Sequence, residues 1–370
     1  MRVWGITGTN GKTTSVWIAA EFIGAVRKCG YITTVEVFDG EKRFSTGYTT
    51  PPLAELKRIF AAMEKNGCED CVMEVSSHAI HQRRTGDTVF AGGAFTNLSE
   101  DHLDYHKTME EYFRVKLSFA ERMARPSPSP DMGRKDFPPF VVCLDGGYGM
   151  EMLEAVGKLA LNALPITEKR PCFNLDSLKL VGAYNRSNVL VAATLAEAAG
   201  VPHETIERII PTLTPKWGRL EEVKIKGEGR RHRVFVDFAH TPDGLEKVLT
   251  AAREFTKGRL WVVFGAGGDR DAMKRPLMGE VCAHLADRLV VTSDNPRSED
   301  PLKIIEAIME GVSDKSKATV LPDRREAIYY ALKNAQADDV VIIAGKGHER
   351  TQEIKGEKFP FSDCEVVREA

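Results

Sequence analysis

Seven consecutive residues near the start of the chain are of the types that bind phosphate. After a short apolar segment, 3–7, come Gly8, Thr9, Asn10, Gly11, Lys12, Thr13 and Thr14. Backbone N–H groups in such a loop, together with the positive end of the helix that follows, bind anions. A lysine at position 12 can reach the β- and γ-phosphates of a nucleotide, and a threonine at position 13 can ligate Mg²⁺. The usual spacing places another glycine at position 6, which is Ile6 here, so the sequence predicts a variant phosphate loop.

Two further groups of polar residues are of the types that hold a divalent cation. Glu74 lies in a predicted strand end, 71–75, just before Ser77 and His78, and His102 lies in the polar segment 101–106. Ligands of α/β sheets bind beyond the carboxyl ends of the strands. A carboxylate and an imidazole there suit Mg²⁺ or Mn²⁺ near a triphosphate. Taken alone, Glu74 is also consistent with a salt bridge, and His102 is more often a capping or core histidine.

The second half of the chain carries four polar clusters, each just after a predicted strand. They occupy residues 237–243, 264–271, 294–297 and 345–349. Carboxyl ends of parallel strands meet at one edge of a sheet, so the four clusters predict a single site at that edge.

Apolar strands alternate with helical stretches, which indicates the α/β class. The predicted strands are 3–7, 71–75, 90–95, 141–144, 234–236, 260–264, 289–292 and 340–344, and the predicted helices include 12–25, 110–123 and 188–199. The pattern restarts after residue 217, which predicts two domains, 1–215 and 216–370, joined near 214–219. The segment 124–140 is rich in proline, which disfavours a helix or central strand and predicts a surface loop.

The composition excludes several classes of protein. A chain of 370 residues is long enough for two or three domains, and its formal net charge of −2 lacks the basic excess of a dedicated nucleic-acid binder. No apolar run is long enough to span a bilayer, and the N-terminus does not resemble a signal peptide. The seven cysteines are scattered without a disulfide framework, which favours a reducing cytoplasm.

Taken together, the motifs resemble those of the Mur ligases and, within them, of the MurE group. The matching segments are, in order, GITGTNGKTT (5–14), YTTP (48–51), MEVSSH (73–78), FTNLSEDHLDYH (95–106), GAYNRSN (182–188), GRLE (218–221), DFAHTPD (237–243), FGAGGDRD (264–271), RPLMG (275–279), SDNPR (293–297) and AGKGHE (344–349). The resemblance implies a P-loop-containing central ATPase domain followed by a Rossmann-like C-terminal domain.

The resemblance also implies a reaction. ATP phosphorylates a substrate carboxylate, an amine attacks the acyl phosphate, and the tetrahedral intermediate collapses to an amide and phosphate. By similarity, Thr13 and Glu74 hold one Mg²⁺, and His102 helps to hold a second. The family's carbamylated lysine corresponds to Lys116, although spacing alone predicts a solvent-facing helical lysine there. Lys12 and the metal ions would neutralise the charge that moves between two anions.

Contacts with the substrates are implied in the same way. For ATP, Asn185 matches the adenine contact, Arg219 the phosphate-side arginine and Asp237 the ribose contact. The acceptor, a muramoyl dipeptide, would contact Thr49, Thr50, Ser77, Gln82 and Arg84. The amine would contact Arg275, Asp294, Asn295, Arg297, Gly345 and Glu349, and the Asp-Asn-Pro-Arg motif resembles that of enzymes that use meso-diaminopimelate. A guanidinium at position 297 can bind a distal carboxylate in bidentate fashion, although a salt bridge at a helix start is an alternative.

Two departures from the MurE pattern leave the acceptor open. MurE proteins begin with a further domain that holds the uridine end of the nucleotide sugar, and this sequence starts at the phosphate-loop strand. A partner subunit could supply that domain, or the acceptor could be another carboxylic acid, such as a folate, a polyglutamate or a tetrapyrrole side chain. A non-catalytic nucleotide-binding partner is the remaining alternative. The residues at 12, 74, 102 and 116 argue against it, because a binding module needs no second metal site.

Overall fold

Two compact units make up the part of the chain that the computed structural model describes, residues 1–124, 137–225 and 232–370. They are Met1–Leu213 and Thr214–Ala370. Most of the predicted proline-rich loop, 125–136, lies outside the described residues.

The first unit is built on an eight-stranded sheet. Its strands are β1 (Arg2–Thr7), β2 (Cys29–Ile32), β3 (Val37–Phe38), β4 (Arg43–Phe44), β5 (Asp70–Glu74), β6 (Phe90–Phe95), β7 (Pro139–Cys143) and β8 (Asn162–Ile166). Their order across the sheet is β4-β3-β2-β5-β1-β6-β7-β8. Six of these strands run parallel, and β3 and β4 extend one edge in antiparallel fashion. The carboxyl ends of β2, β5, β1 and β6 are therefore neighbours.

Helices cover this sheet. They are α1 (Lys12–Gly24), α2 (Leu53–Lys65), α3 (Ser77–His81), α4 (Leu103–His106), α5 (Met109–Met123), α6 (Gly149–Val156), α7 (Ala183–Ala198) and α8 (His203–Ile209). Helix α1 is apolar and buried nearly all round, because it packs between the sheet and the small-residue helix α7. That packing fixes the first turn of α1, where the phosphate loop ends.

The second unit contains a six-stranded sheet and a separate hairpin. The strands are β9 (Glu221–Glu222), β10 (Arg233–Asp237), β11 (Leu260–Phe264), β12 (Arg288–Val291), β13 (Ala318–Val320) and β14 (Val340–Ala344), and the hairpin consists of β15 (Thr351–Ile354) and β16 (Glu357–Pro360). The order is β13-β12-β11-β14-β10-β9, with all neighbours parallel except β9. The flanking helices are α9 (Pro242–Phe255), α10 (Lys274–Leu285), α11 (Pro301–Glu310), α12 (Arg324–Asn334) and α13 (Asp363–Glu369).

This architecture confirms the predicted fold class. A strand, a phosphate loop and a helix open the first unit, and a mostly parallel Rossmann-like sheet forms the second. Strands β10, β11, β12 and β14 lie side by side, so the four polar clusters that follow them share one edge of the sheet, as expected. No helix in the described part of the chain is long and apolar enough to cross a membrane.

Candidate active site

The phosphate loop is held in shape by the residues that follow β6. Thr9 and Asn10 donate their backbone N–H groups to the backbone and side chain of Asn97, at 2.8 and 3.0 Å. Gly8 has a φ of +151°, and a Cβ there would lie 1.8 Å from the hydroxyl of Thr96. Glycine is therefore required at position 8 by both conformation and space.

Lys12 lies over this loop. Its Nζ donates to the carbonyl oxygens of Gly8 and Thr9, at 2.9 and 2.8 Å. These contacts keep the ammonium beside the loop. A bound phosphate would replace the two carbonyl oxygens as the acceptor of its hydrogen bonds. The next residues, Thr13 and Thr14, lie in the first turn of helix α1 and are buried.

Glu74 and Thr13 converge at the end of β5 and the start of α1. The hydroxyl of Thr13 lies 2.8 Å from Oε1 of Glu74, whose side chain is only 1% exposed. Thr34, just after β2, donates its backbone N–H to the same oxygen at 2.8 Å and its hydroxyl to Oε2 at 3.2 Å. Glu74 is therefore engaged by hydroxyl and amide groups, and within the described residues it does not form the salt bridge that remained open from the sequence. A hydroxyl and a carboxylate in this position are ligands that suit Mg²⁺ beside a phosphate.

The expectation from spacing that Lys116 faces solvent is wrong. Lys116 is 1% exposed, and its Nζ lies 2.8 Å from the carbonyl oxygen of Gly8 in the phosphate loop. The buried face of α5 is formed by Tyr112, Lys116, Phe119, Ala120 and Met123, so the lysine belongs to the apolar stripe. Burial lowers the pKa of Lys116 well below its ordinary value, and the nearby Lys12 lowers it further.

His102 lies beside the same loop in a strained backbone conformation. Its φ of +58° is rare for a residue with a side chain. Its Nε2 lies 3.5 Å from a carboxylate oxygen of Asp101, and its ring packs edge-on against His78. Burial lowers the pKa of His102 to about 3, so the imidazole is neutral near pH 7 and can donate a lone pair to a metal. His102 immediately precedes α4, but its side chain makes no capping hydrogen bond.

The five residues matched to acceptor contacts lie near Glu74. Thr49 bonds to Thr34, and Thr50 donates to the backbone oxygen of Glu74 at 2.8 Å. Arg84 donates to Thr50 and Gln82, at 3.2 and 2.8 Å. Ser77 is buried against His106, with 2.9 Å between Oγ and Nε2. The predicted acceptor set is thus one neighbourhood around the carboxyl end of β5.

Asn185 lies in the first turn of α7, close to the phosphate loop through its neighbour Asn188. The Nδ2 of Asn185 donates to the backbone of Val181 at 2.8 Å, and its Oδ1 faces Asn188. A Cβ on Gly11, whose φ is +85°, would lie 2.1 Å from Oδ1 of Asn188. Helix α7 therefore reaches the loop, and adenine recognition by Asn185 stays a prediction.

In the second unit, Arg219 and Asp237 lie close together at the carboxyl end of β10. The guanidinium of Arg219 stacks over Phe238, 4.6 Å from its ring centre. The carboxylate of Asp237 accepts the backbone N–H groups of Leu220 and Ala239, at 2.6 and 2.7 Å. Burial raises the pKa of Asp237, while Arg219 opposes that change. The structure thus shows Asp237 holding two backbone turns, and its contact with ribose stays a prediction.

The residues matched to amine contacts form two neighbouring groups on the edge that follows β11, β12 and β14. In one, Arg275 donates to Glu299 at 2.8 Å, and Arg297 donates to the backbone of Gly268 at 2.6 Å. Nε of Arg297 lies 3.8 Å from a carboxylate oxygen of Glu353 in the hairpin. Both guanidinium groups thus have protein partners, which lie in the loops that follow β11 and β12.

In the other group, Asn295 donates to Glu349 at 2.8 Å. Beside it, Asp294 has one buried carboxylate oxygen with no hydrogen bond to the described residues. Gly345 has a φ of +117°, and a Cβ there would lie 2.4 Å from that oxygen. An unsatisfied buried acceptor beside a glycine is a place where a ligand donor would be stabilised.

Sequence reasoning gave no role to three residues that shape these sites, although one of them, Lys346, lies in the predicted cluster 345–349. Thr34 follows β2, a strand of four residues that was not predicted, and recognising that strand would have pointed to it. Lys346 and Arg324 are fully buried cations of the second unit. Their sequence contexts give no signal of burial, because lysine and arginine are usually exposed.

Two family profiles match the chain. The Mur ligase middle domain matches residues 6–129, and the Mur ligase glutamate ligase domain matches residues 218–347. The chain belongs to the Mur ligase family and is an ATP-dependent, ADP-forming ligase.

Individual relatives point to one branch of the family. The UDP-N-acetylmuramoyl-L-alanyl-D-glutamate–2,6-diaminopimelate ligase of Caldanaerobacter subterraneus subsp. tengcongensis is 40% identical, with 99% of this chain and 77% of the relative covered. The enzyme of the same name from Aquifex aeolicus is 39% identical, with 100% and 77% covered. A solved structure of a ligase of that name is similar with a TM-score of 0.62 and 31% identity, over 100% of this chain and 78% of that one. These findings confirm the resemblance to the MurE group.

Proposed function

We propose that this ligase adds meso-diaminopimelate to the D-glutamate carboxylate of UDP-N-acetylmuramoyl-L-alanyl-D-glutamate. The observation that carries the proposal is the similarity, at about 40% identity over nearly the whole chain, to enzymes that bear this name. The Asp294–Arg297 loop supports it, because it offers both a guanidinium and a carboxylate to an amino acid.

ATP would be bound by the phosphate loop, residues 8–14, with Lys12 on the β- and γ-phosphates. Thr13 and Glu74 would hold one Mg²⁺, and His102 and Lys116 would hold a second. Both ions would supply positive charge that neutralises the phosphoryl group during its transfer. No group of three or more His, Cys, Asp or Glu side chains converges as a metal site in the described residues.

Lys116 would serve this second site as a carbamate. An uncharged amine attacks CO₂, forms an N–C bond and releases one proton, so the lysine becomes an anion. The lowered pKa of Lys116 supports this step because it increases the fraction of uncharged amine. The contact of Nζ with Gly8 supports a role at the phosphate loop itself.

The acceptor carboxylate would lie near Thr49, Thr50, Ser77, Gln82 and Arg84. It would attack the γ-phosphorus of ATP, and the oxygen bridging to the β-phosphate would leave with ADP. The incoming amine, held by Arg275, Asp294, Asn295, Arg297, Gly345 and Glu349, would then attack the acyl carbon and displace phosphate, releasing one proton as the amide forms. Asn185, Arg219 and Asp237 are proposed contacts with the adenine, phosphate and ribose of ATP.

Phosphate release from ATP and Mg²⁺ tests the proposal. The acceptor and meso-diaminopimelate are added separately and together, and we expect release only with both. Replacing meso-diaminopimelate with L-lysine should give much slower release, because lysine lacks the distal carboxylate for Arg297. Release with another acid, or none with this pair despite ATP binding, would contradict the proposed substrates.

The uridine end of the acceptor requires a separate test. We propose that a partner subunit can contribute contacts to it, and that the reaction takes place in the cytoplasm, where ATP and nucleotide sugars are available. Comparing the UDP-linked dipeptide with the same muramoyl dipeptide lacking UDP measures what the uridine adds. Equal kcat/KM values for both acceptors would show that uridine contacts contribute nothing.

A further inference from the structure

Lys346 is a buried cation at the edge that follows β14. Its side chain is 0% exposed, although burying an ammonium is costly unless it is paired. Both neighbours are glycines in the left-handed region, with φ values of +117° at Gly345 and +52° at Gly347. A Cβ on Gly347 would lie 2.8 Å from Cβ of Phe238. The two glycines thus let the backbone turn tightly on either side while the lysine side chain enters the protein.

The ammonium joins two side chains that we have assigned to amine binding. Nζ lies 3.0 Å from Oδ1 of Asn295 and 2.8 Å from Oε2 of Glu349. Asn295 donates from Nδ2 to that same Oε2 at 2.8 Å, which closes a triangle of hydrogen bonds. The backbone N–H of Glu353 also donates to Oδ1 of Asn295, at 3.0 Å.

These contacts fix the orientation of both partners. Oδ1 of Asn295 accepts two donors, so its amide can present only Nδ2 toward Glu349. Oε2 of Glu349 likewise accepts two donors, whereas Oε1 has no hydrogen bond to the described residues. A carboxylate held in this way has one oxygen ready to accept a substrate N–H without first losing rotational freedom.

We propose that Lys346 is a positioning residue that sets Glu349 and Asn295 for an ammonium group of the incoming amino acid. The inference rests on the proposed function, since it deepens the assignment of the amine site. A lysine beside glycines could instead bind phosphate, as Lys12 is proposed to do. The complete burial of Lys346 and its two side-chain partners argue against that role.

The variant Lys346→Met removes the ammonium and keeps most of the stem. We expect KM for meso-diaminopimelate to rise about 10- to 100-fold, the range for leaving buried polar partners unpaired. KM for ATP should stay within about twofold, because ATP is assigned to other residues. Arg325→Met is the control, since it removes a cation of an exposed ion pair with Glu369 and should change neither constant.

The selectivity between two amino-acid substrates is a measurement that a loss of stability alone would not change. 2-Aminopimelate has the same carbon chain as diaminopimelate but only one amino group. The preference of the wild-type enzyme for diaminopimelate, as a ratio of kcat/KM values, should fall about tenfold or more in Lys346→Met. An unchanged ratio and unchanged KM for diaminopimelate in a folded variant would overturn the proposal.

A comparison of two further variants tests the proposal if Lys346→Met does not fold. Glu349→Gln and Lys346→Met/Glu349→Gln differ only at position 346, and the double variant removes both charges of this ion pair. We expect their KM values for diaminopimelate to differ much less than those of the wild type and Lys346→Met, since the charged partner of the lysine is absent from both. A further large increase in the double variant would overturn the proposal. If the wild-type enzyme shows no diaminopimelate-dependent phosphate release, the proposed function itself fails, which this control reports separately.

Discussion

Lys116 shows how one buried side chain can connect a helix to the phosphate loop. The variant Lys116→Met should keep the shape of the side chain and remove the amine. We expect turnover to fall about 100-fold or more, the scale of losing one electrostatic group at a reacting centre. ATP affinity, measured by equilibrium binding, should stay within about threefold because the loop and Lys12 remain. Lys65→Met, at the end of α2, is a control; unchanged turnover in Lys116→Met would remove the residue from the mechanism.

The carbamate at Lys116 predicts a dependence on CO₂ and pH. Burial lowers the pKa of Lys116, so the uncharged amine that reacts with CO₂ is more abundant than for an exposed lysine at the same pH. Lower pH protonates the amine and reverses carbamate formation, so activity should fall on acidification. Activity should also fall in CO₂-depleted buffer and return on adding bicarbonate at constant pH. If the wild-type rate is the same with and without CO₂, the carbamate assignment is wrong.

At the scale of elements, the phosphate loop depends on close packing between α1 and α7. Gly11→Ala would place a methyl group 2.1 Å from Oδ1 of Asn188, at a φ of +85°. Gly67 offers a matched control, because its φ is +78° and nothing lies within 4 Å of its Cβ position. In both variants the left-handed conformation of the new alanine lowers the free energy of unfolding by about 1–2 kcal/mol. Only Gly11→Ala also displaces the loop. We therefore expect ATP affinity, by equilibrium titration, to fall about tenfold or more only in Gly11→Ala. Equal losses in both variants would mean that backbone strain, not contact with α7, controls the loop.

His106 links three elements and predicts a pH dependence of stability. It ends α4, bonds to Ser77 of α3 and stacks on Tyr112 of α5, with ring centres 5.0 Å apart. Burial lowers its pKa from 6.5 to about 4, so between these values the unfolded chain binds more protons than the folded one. The unfolding free energy that this histidine contributes is complete above pH 6.5 and is lost as pH falls toward 4.

The variant His106→Gln removes this titration. We expect its Tm to fall less than the wild-type Tm between about pH 7.5 and about pH 5, measured by thermal denaturation. His102 and His348, whose pKa values burial also lowers to about 3, keep part of the slope in both proteins. Parallel Tm curves for the two proteins would show that His106 does not supply the effect.

At the scale of the whole molecule, the sequence predicted what depends on local pattern. Strands β6, β11 and β14 have the predicted bounds, and α1 begins at Lys12 as predicted. Helix α7 begins at Ala183, five residues before the predicted start at 188, because the polar residues Asn185, Arg186 and Ser187 interrupt the apolar pattern. Strand β8 was missed because Pro165 disfavours a strand; it is tolerated here on an edge strand.

Tertiary contacts explain the part of the site that could not be predicted. Lys116, Lys346 and Arg324 are buried, and each has a partner far away in sequence: Nζ of Lys116 reaches Gly8, Nζ of Lys346 reaches Asn295 at 3.0 Å, and Arg324 pairs with Asp363 at 2.7 Å. A charged residue can be buried only where the fold supplies such partners. No local pattern shows them, so motifs located the loops while the structure was needed to orient the cations within them.

The proposal assigns acyl-phosphate formation and binding of the incoming amine to different residues, and this separation gives a final prediction. Acyl-phosphate formation needs ATP and the acceptor, whereas Arg297 is proposed to hold only the incoming amine. Arg297→Met should therefore raise KM for meso-diaminopimelate about 100-fold, as expected for losing a charge-assisted bidentate contact. Acyl phosphate, trapped with hydroxylamine when no amino acid is present, should form in the variant at about the wild-type rate. A parallel loss of trapped hydroxamate would show that Arg297 acts before amine attack, so the amine site could not be assigned to this loop alone.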